Sequence, residues 1–305
     1  MEMGLMHQGL WDTPNTNQGS EQTKMPKPTL ALNPTPTQVE KLRLILSTYQ
    51  DGTGQNDGGT APGWRDFERA VAAAFNGQAQ ESKHVFDVIV PTGYGASAYG
   101  ISCKMRGELG NTVARQNKKG LFKKGRVSME LSNSAKYFWT QLKKRGINET
   151  VYKVKPVESG IALIELVKSW HNDVSLEKGS IIDLSKSFYL VLQWDKSGLY
   201  QLFQYSIHLP DPKELKWHFP PKTGKNGEEE SSLRLAGEDS FGSLFEWYGD
   251  TGGQLKYYPL TEDALWKSDK FRLEPLPTLE SLEYGIIAKA KTYFPRQWSS
   301  IAEDV

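Results

Sequence analysis

A chain of 305 residues, 24% charged and 38% hydrophobic, has an ordinary globular composition and is long enough for one large domain or two small ones. No apolar run approaches the roughly 20 residues of a membrane span, the N-terminus lacks the basic-then-apolar order of a signal peptide, and Cys103, the single cysteine, excludes an intrachain disulfide and a cysteine zinc cluster, so a cytoplasmic protein is expected. The net charge of +1 conceals an asymmetry: residues 100–150 hold twelve Lys and Arg against three Glu, a local +9 that suits a polyanionic partner.

Residues 1–35 are rich in Gln, Asn, Thr, Pro and Gly and read as a flexible tail. Val39, Leu42, Ile45, Leu46 and Tyr49 recur at helical spacing, which predicts a helix over 37–49, with Thr37 as its cap and Glu40 completing a capping box. A Gly-, Asn- and Asp-rich loop over 51–63 follows. Trp64, Phe67, Val71, Ala74 and Phe75 define a second helix, ended by Asn76-Gly77, with Glu68 beside its apolar stripe.

Val85, Phe86, Val88, Ile89 and Val90 form a short β-prone apolar run, a buried strand with Asp87 in its middle. An ionised carboxylate there is costly unless a cation or metal pairs with it. Turn residues at 91–95 lead to a second strand, in which Tyr99, Ile101, Cys103 and Met105 point one way and Gly100, Ser102, Lys104 and Arg106 the other. A hairpin of this kind can bring Asp87 and Lys104 together. A carboxylate that holds an ion and an ammonium that orients water and stabilises developing charge are the minimum for metal-assisted phosphodiester hydrolysis. Glu81, Lys83 and His84 flank the first strand and are expected to be structural or peripheral.

Residues 107–127 carry Arg115, Lys118, Lys119, Lys123, Lys124 and Arg126 between glycines; together with Arg106 they are the expected phosphate contacts. Leu131, Ala135, Phe138, Trp139 and Leu142 mark a helix from about 128 to 145, with Glu130 in its first turn. Further on, Ile161 to Trp170 reads as a helix, and Ser187 to Trp194 and Leu199 to Ile207 as a hairpin. Residues 210–232 read as an exposed loop, followed by short strands near 233–236, 244–248 and 254–258 and a helix from Thr278 to Phe294. No long linker follows residue 145, so 36–305 is read as one domain: a catalytic core at about 60–145 and a β-rich part at about 181–275 assigned to DNA recognition or dimerisation.

Asp87, a hairpin, then Ser102-Cys103-Lys104, preceded by the Trp64-to-Val71 helix with its Phe67-Glu68 pair, resembles the PD-(D/E)xK nuclease core of type II restriction endonucleases over roughly residues 60–142. The resemblance implies an α/β fold, a mixed central β-sheet flanked by helices. It implies Mg2+-dependent, sequence-specific cleavage of double-stranded DNA by a homodimer. Asp87 would bind the ion, Lys104 would position or activate water, and the Cys103 carbonyl would be a further ligand. The family usually has an acid where this chain has Ser102. Glu130 is the expected replacement, Glu108 the rival, and Glu68 a further or water-mediated contact. A repair or modified-DNA nuclease of the same superfamily, or a DNA-binding protein that has lost catalysis, are the alternatives.

Overall fold

The computed structural model describes residues 32–54, 62–80, 85–92, 97–116, 122–131, 135–176, 181–223, 228–249 and 253–303. The predicted tail up to residue 31, Glu81, Lys83, His84, Lys118 and Lys119 lie outside these residues.

Two helices, α1 (Pro36–Thr48) and α2 (Trp64–Ala74), precede a run of strands, β1 (Gln78–Ala79), β2 (Val88–Pro91) and β3 (Ala98–Arg106). A short ribbon, β4 (Arg115–Gln116) with β5 (Phe122–Lys123), leads to β6 (Met129–Glu130). Three helices follow, α3 (Ala135–Lys144), α4 (Glu149–Val154) and α5 (Pro156–Leu176). Then come β7 (Phe188–Trp194), β8 (Tyr200–Ser206), β9 (Lys216–His218), β10 (Pro221–Thr223), β11 (Glu229–Ser231), β12 (Leu235–Asp239), β13 (Gly242–Trp247), β14 (Leu255–Tyr257) and β15 (Trp266–Lys267), and finally α6 (Ile286–Tyr293) and α7 (Pro295–Glu303).

The fold is mixed α/β. A six-stranded sheet in the order β1-β2-β3-β7-β8-β15 is antiparallel except where β3 meets β7 in parallel. A parallel pair needs a long crossover, and here α3, α4 and α5 lie within it. The alternation read in β3 separates two cores. Tyr99, Ile101 and Cys103 join Val88, Val90, Leu190 and Leu202 under α1 and α2. On the other face, Tyr189, Val191 and Phe203 share one apolar cluster with α3, α5 and the inner face of a second sheet, β6-β14-β13-β12-β9.

Several boundaries differ from the sequence reading. Helix α1 is capped at Thr35, whose hydroxyl accepts from Gln38 while the Gln38 side chain accepts from the Thr35 N–H, so the capping box sits two residues earlier than expected. Residues 210–232 are not a plain loop: Trp217 on β9 is buried, and its indole N–H donates to the Pro212 carbonyl at 2.8 Å. The helix expected from Thr278 begins only at Ile286, after Gly285 at φ +86°, and Leu279 and Leu282 are exposed rather than packed.

The helix expected over 128–145 starts at Ala135. Met129 and Glu130 instead form β6, paired with Tyr257 and Lys256. Val127 and Met129 alternate into the core, and strand pairing satisfies their backbone where a helix would present both faces. Glu130 is therefore a strand residue, and no helix dipole acts on it.

Candidate active site

β2 begins at Val88, so Asp87 lies just before its paired residues. Val88 lies opposite Ile101, and Asp87 still donates its N–H to the Ile101 carbonyl at 3.0 Å. Beyond that point its side chain takes over the role of the missing strand. The Asp87 Oδ2 accepts from the Cys103 N–H at 2.7 Å and lies 3.3 Å from the Ser102 hydroxyl. The Lys104 Nζ stands 3.7 Å from the same oxygen. Asp87 and Lys104 are each about a quarter exposed, so the carboxylate is not sealed in the apolar run as the sequence reading required. It sits at a frayed sheet edge with three donors around one oxygen. Ser102, at the position where the resembled family carries an acid, is buried and directed at Asp87.

Glu68 approaches from α2. Its pKa is pushed up to about 7, first by burial and then by the charge of Asp87, against the opposing pull of Lys104, Arg65 and Arg69. The Cys103 thiol is buried and held well above its ordinary value by burial, with Asp87 and Glu68 adding to the effect, so it stays protonated. The N–H and C=O of one strand residue point to the same side. The Cys103 carbonyl is therefore directed to the edge where its N–H meets Asp87.

Below the polar face of β3 lies His171 of α5. It stacks on Phe86, its Nε2 is 3.2 Å from the Tyr189 hydroxyl, and burial, reinforced by the charge of Lys104, lowers its pKa to about 4. A neutral imidazole thus lies beneath the Asp87–Lys104 pair. Sequence reasoning passed over His171, which stands in the continuation of the apolar α5 segment.

Two residues past Lys104 on the same face, Arg106 makes a close ion pair with Glu130. Glu108 is set apart from this group: it accepts from the Asn111 side chain at 3.2 Å and lines a cleft of about 440 Å³ against the second sheet. Arg115, Lys123 and Lys124 line the same cleft. Arg115 and Lys123 are exposed, and Lys124 pairs closely with Glu262 and lies 3.8 Å from the centre of the Phe241 ring. Arg126 is buried, with Nη2 at 2.6 Å from Asp239 and Nη1 at 2.5 Å from the Tyr258 carbonyl, so its guanidinium ties the loop to the second sheet.

Among the described residues, no group of three or more His, Cys, Asp or Glu side chains forms a metal cage. The set available at the sheet edge is smaller: the Asp87 and Glu68 carboxylates and the Cys103 carbonyl. This suits Mg2+, which takes one or two carboxylates and keeps several waters. The raised pKa of Glu68, owed first to burial and then to Asp87, marks a carboxylate whose charge a cation would help to hold. No described helix is long and apolar enough to cross a membrane. No family model matches the chain, and neither a curated protein nor a solved structure matches it.

Proposed function

We propose that this chain is a Mg2+-dependent nuclease of the PD-(D/E)xK kind that hydrolyses phosphodiester bonds of double-stranded DNA at specific sequences, as a homodimer. The observation that carries the reading is the meeting of Asp87 and Lys104, 3.7 Å apart, beside the part of β3 beyond Ile101 that β2 does not pair. Order along the chain agrees with it: α2 with Glu68, then antiparallel strands bearing the acid and the lysine, in a mixed sheet flanked by helices.

A bound Mg2+ would supply Lewis-acid stabilisation of the scissile phosphate and acidify an attacking water. Asp87 and the Cys103 carbonyl would hold it from the sheet edge, and Glu68 from α2. The Ser102 hydroxyl and Cys103 N–H keep the Asp87 oxygen oriented whether or not an ion is bound. Lys104 places its ammonium beside the same oxygen, where it orients the water and stabilises charge developing on the phosphate. His171, neutral and buried, adds no positive charge near Lys104. Arg106 adds a second cation on this face; a phosphate that engaged it would release Glu130, the remaining acid within reach of the strand.

Ser102 in the acid position supports a second reading, a DNA-binding protein without catalysis. One assay separates the two. Unmethylated phage DNA is incubated with the wild-type protein and with Asp87→Ala, in Mg2+ and in EDTA. Discrete bands from the wild type in Mg2+ alone, and none from Asp87→Ala, are the expected result. An active Asp87→Ala protein removes the core of the proposal, and retarded but uncut DNA from the wild type selects the second reading.

A further inference from the structure

The second sheet covers the core with one face only. Phe245, Trp247, Leu255 and Tyr257 point inward. The residues between them form a polar row on the other face. Glu130 stands opposite Lys256, Lys256 opposite Glu246, and Glu246 opposite Ala236, and directly opposed residues share a face. The row begins at the catalytic strand, because Glu130 is the partner of Arg106.

Glu246 is the centre of this face. Its side chain is only 9% exposed, and three donors converge on it: Arg234 Nη1 at 3.2 Å, the Tyr248 hydroxyl at 3.0 Å and the Tyr258 hydroxyl at 3.2 Å. The Arg234 side chain is 38% exposed, and its guanidinium is held by Glu246 and by the Tyr248 side chain. Among the described residues, the buried Arg234 Nε has no hydrogen-bond partner. Lys256 is drawn aside over the Tyr248 ring, 5.0 Å from its centre. Across the cleft stand the exposed Arg115 and Lys123. The arrangement is a fixed guanidinium at the floor and exposed cations at the rim.

We propose that this outer face reads the edge of a base pair near the cleavage point, with Arg234 as the reading side chain and Glu246 as the residue that positions it. The inference rests on the nuclease reading above. A guanidinium fixed by a carboxylate and still partly exposed can offer its outer N–H groups to two adjacent acceptors, the O6 and N7 of guanine in the major groove. The rim cations suit the flanking phosphates. Two residues along β3, the Arg106–Glu130 pair and two inter-strand steps keep Glu246 within roughly 25 Å of Lys104, less than one turn of duplex.

The test is selection of duplexes from a randomised DNA library by full-length protein carrying Asp87→Ala, which holds DNA uncut, alone and combined with Arg234→Ala, Arg234→Lys or Glu246→Gln. The selected sequences are then read. The parent should enrich a defined motif containing guanine. Arg234→Ala and Arg234→Lys should lose the preference at one position, or at its symmetric pair, with affinity for the best parent sequence falling about 10- to 100-fold. Glu246→Gln should weaken the same preference while circular dichroism stays unchanged. A uniform loss of affinity with the motif intact makes Arg234 a phosphate contact and overturns the proposal, and so does an unchanged motif at full affinity. Failure of the wild-type protein to bind or cut any DNA overturns the nuclease reading as well. An intact motif in Arg234→Ala alongside normal wild-type cleavage overturns only this inference.

Discussion

Replacing Glu68 by Gln separates a metal ligand from a merely tolerated acid. In the folded protein the Glu68 pKa rises from 4.5 to about 7 because the carboxylate is partly buried and faces Asp87. A raised carboxylate pKa means that the folded state binds the proton more tightly than the unfolded chain. The stability this proton confers is present at low pH and is lost as pH rises from about 4.5 through about 7. Above that window the ionised Glu68 is a net cost. At about 1.4 kcal/mol per pKa unit the full shift corresponds to roughly 3 kcal/mol, and solvent screening of a half-exposed group reduces it to about 1–2 kcal/mol. Gln keeps the shape and removes the charge. Metal-free Glu68→Gln should therefore be more stable than the wild type at pH 8 by about 1–2 kcal/mol, a melting shift of roughly 2–6 °C, and should lack the wild-type decline between pH 5 and pH 7. Mg2+ should reverse the order, stabilising the wild type by mass action and the variant much less. Thermal unfolding at pH 5, 6.5 and 8, in EDTA and in 10–100 Kd of Mg2+, measures both. Parallel pH profiles for the two proteins would refute the electrostatic reasoning, and equal stabilisation by Mg2+ would remove Glu68 from the metal site.

The remaining acids make a comparison. Glu130→Gln should cut the cleavage rate at least 10-fold, since it alters the Arg106 partner beside Lys104, whereas Glu108→Gln, which changes the partner of Asn111, should leave it within about 3-fold; single-turnover rates that reverse this order would give the supporting role to Glu108 in the cleft. Gly100→Ala tests the scaffold of Asp87. A Cβ there would lie 2.2 Å from the Phe86 ring, so this substitution should cost about 1–3 kcal/mol or more by urea unfolding and displace Asp87, while Gly110→Ala, with nothing within 4 Å, should be nearly neutral. Equal stabilities for the two variants would mean that the Phe86–Gly100 contact does not hold the site.

Much of this molecule is written locally. The alternation of Tyr99, Ile101, Cys103 and Met105 against Ser102, Lys104 and Arg106 gives β3 its two faces, because strand side chains alternate whatever surrounds them. Helices α2 and α5 follow from the spacing of their apolar residues, and the β7–β8 hairpin from its turn between two β-prone runs. Local pattern misplaces Glu130, however. Its segment has apolar residues at spacings compatible with a helix, and only pairing with Lys256, more than a hundred residues later, makes it a strand.

The site itself is a tertiary decision. The sequence shows an acid inside an apolar run, but not that β2 begins only at Val88 and leaves the Asp87 side chain to meet the backbone of β3. Likewise, composition marks residues 100–150 as basic, yet only folding sorts their cations. Arg126 is buried on Asp239, Arg106 is bound to Glu130, and Arg115 and Lys123 remain exposed. Arg234 and Glu246 carry no local signature at all. Their meeting depends on the register of β12 with β13 and on the inward packing of Phe245 and Trp247, which turns the polar residues between them outward. Alternation and helical period are properties of neighbours in the chain, whereas charge pairing and burial depend on residues that the chain brings together only when it folds.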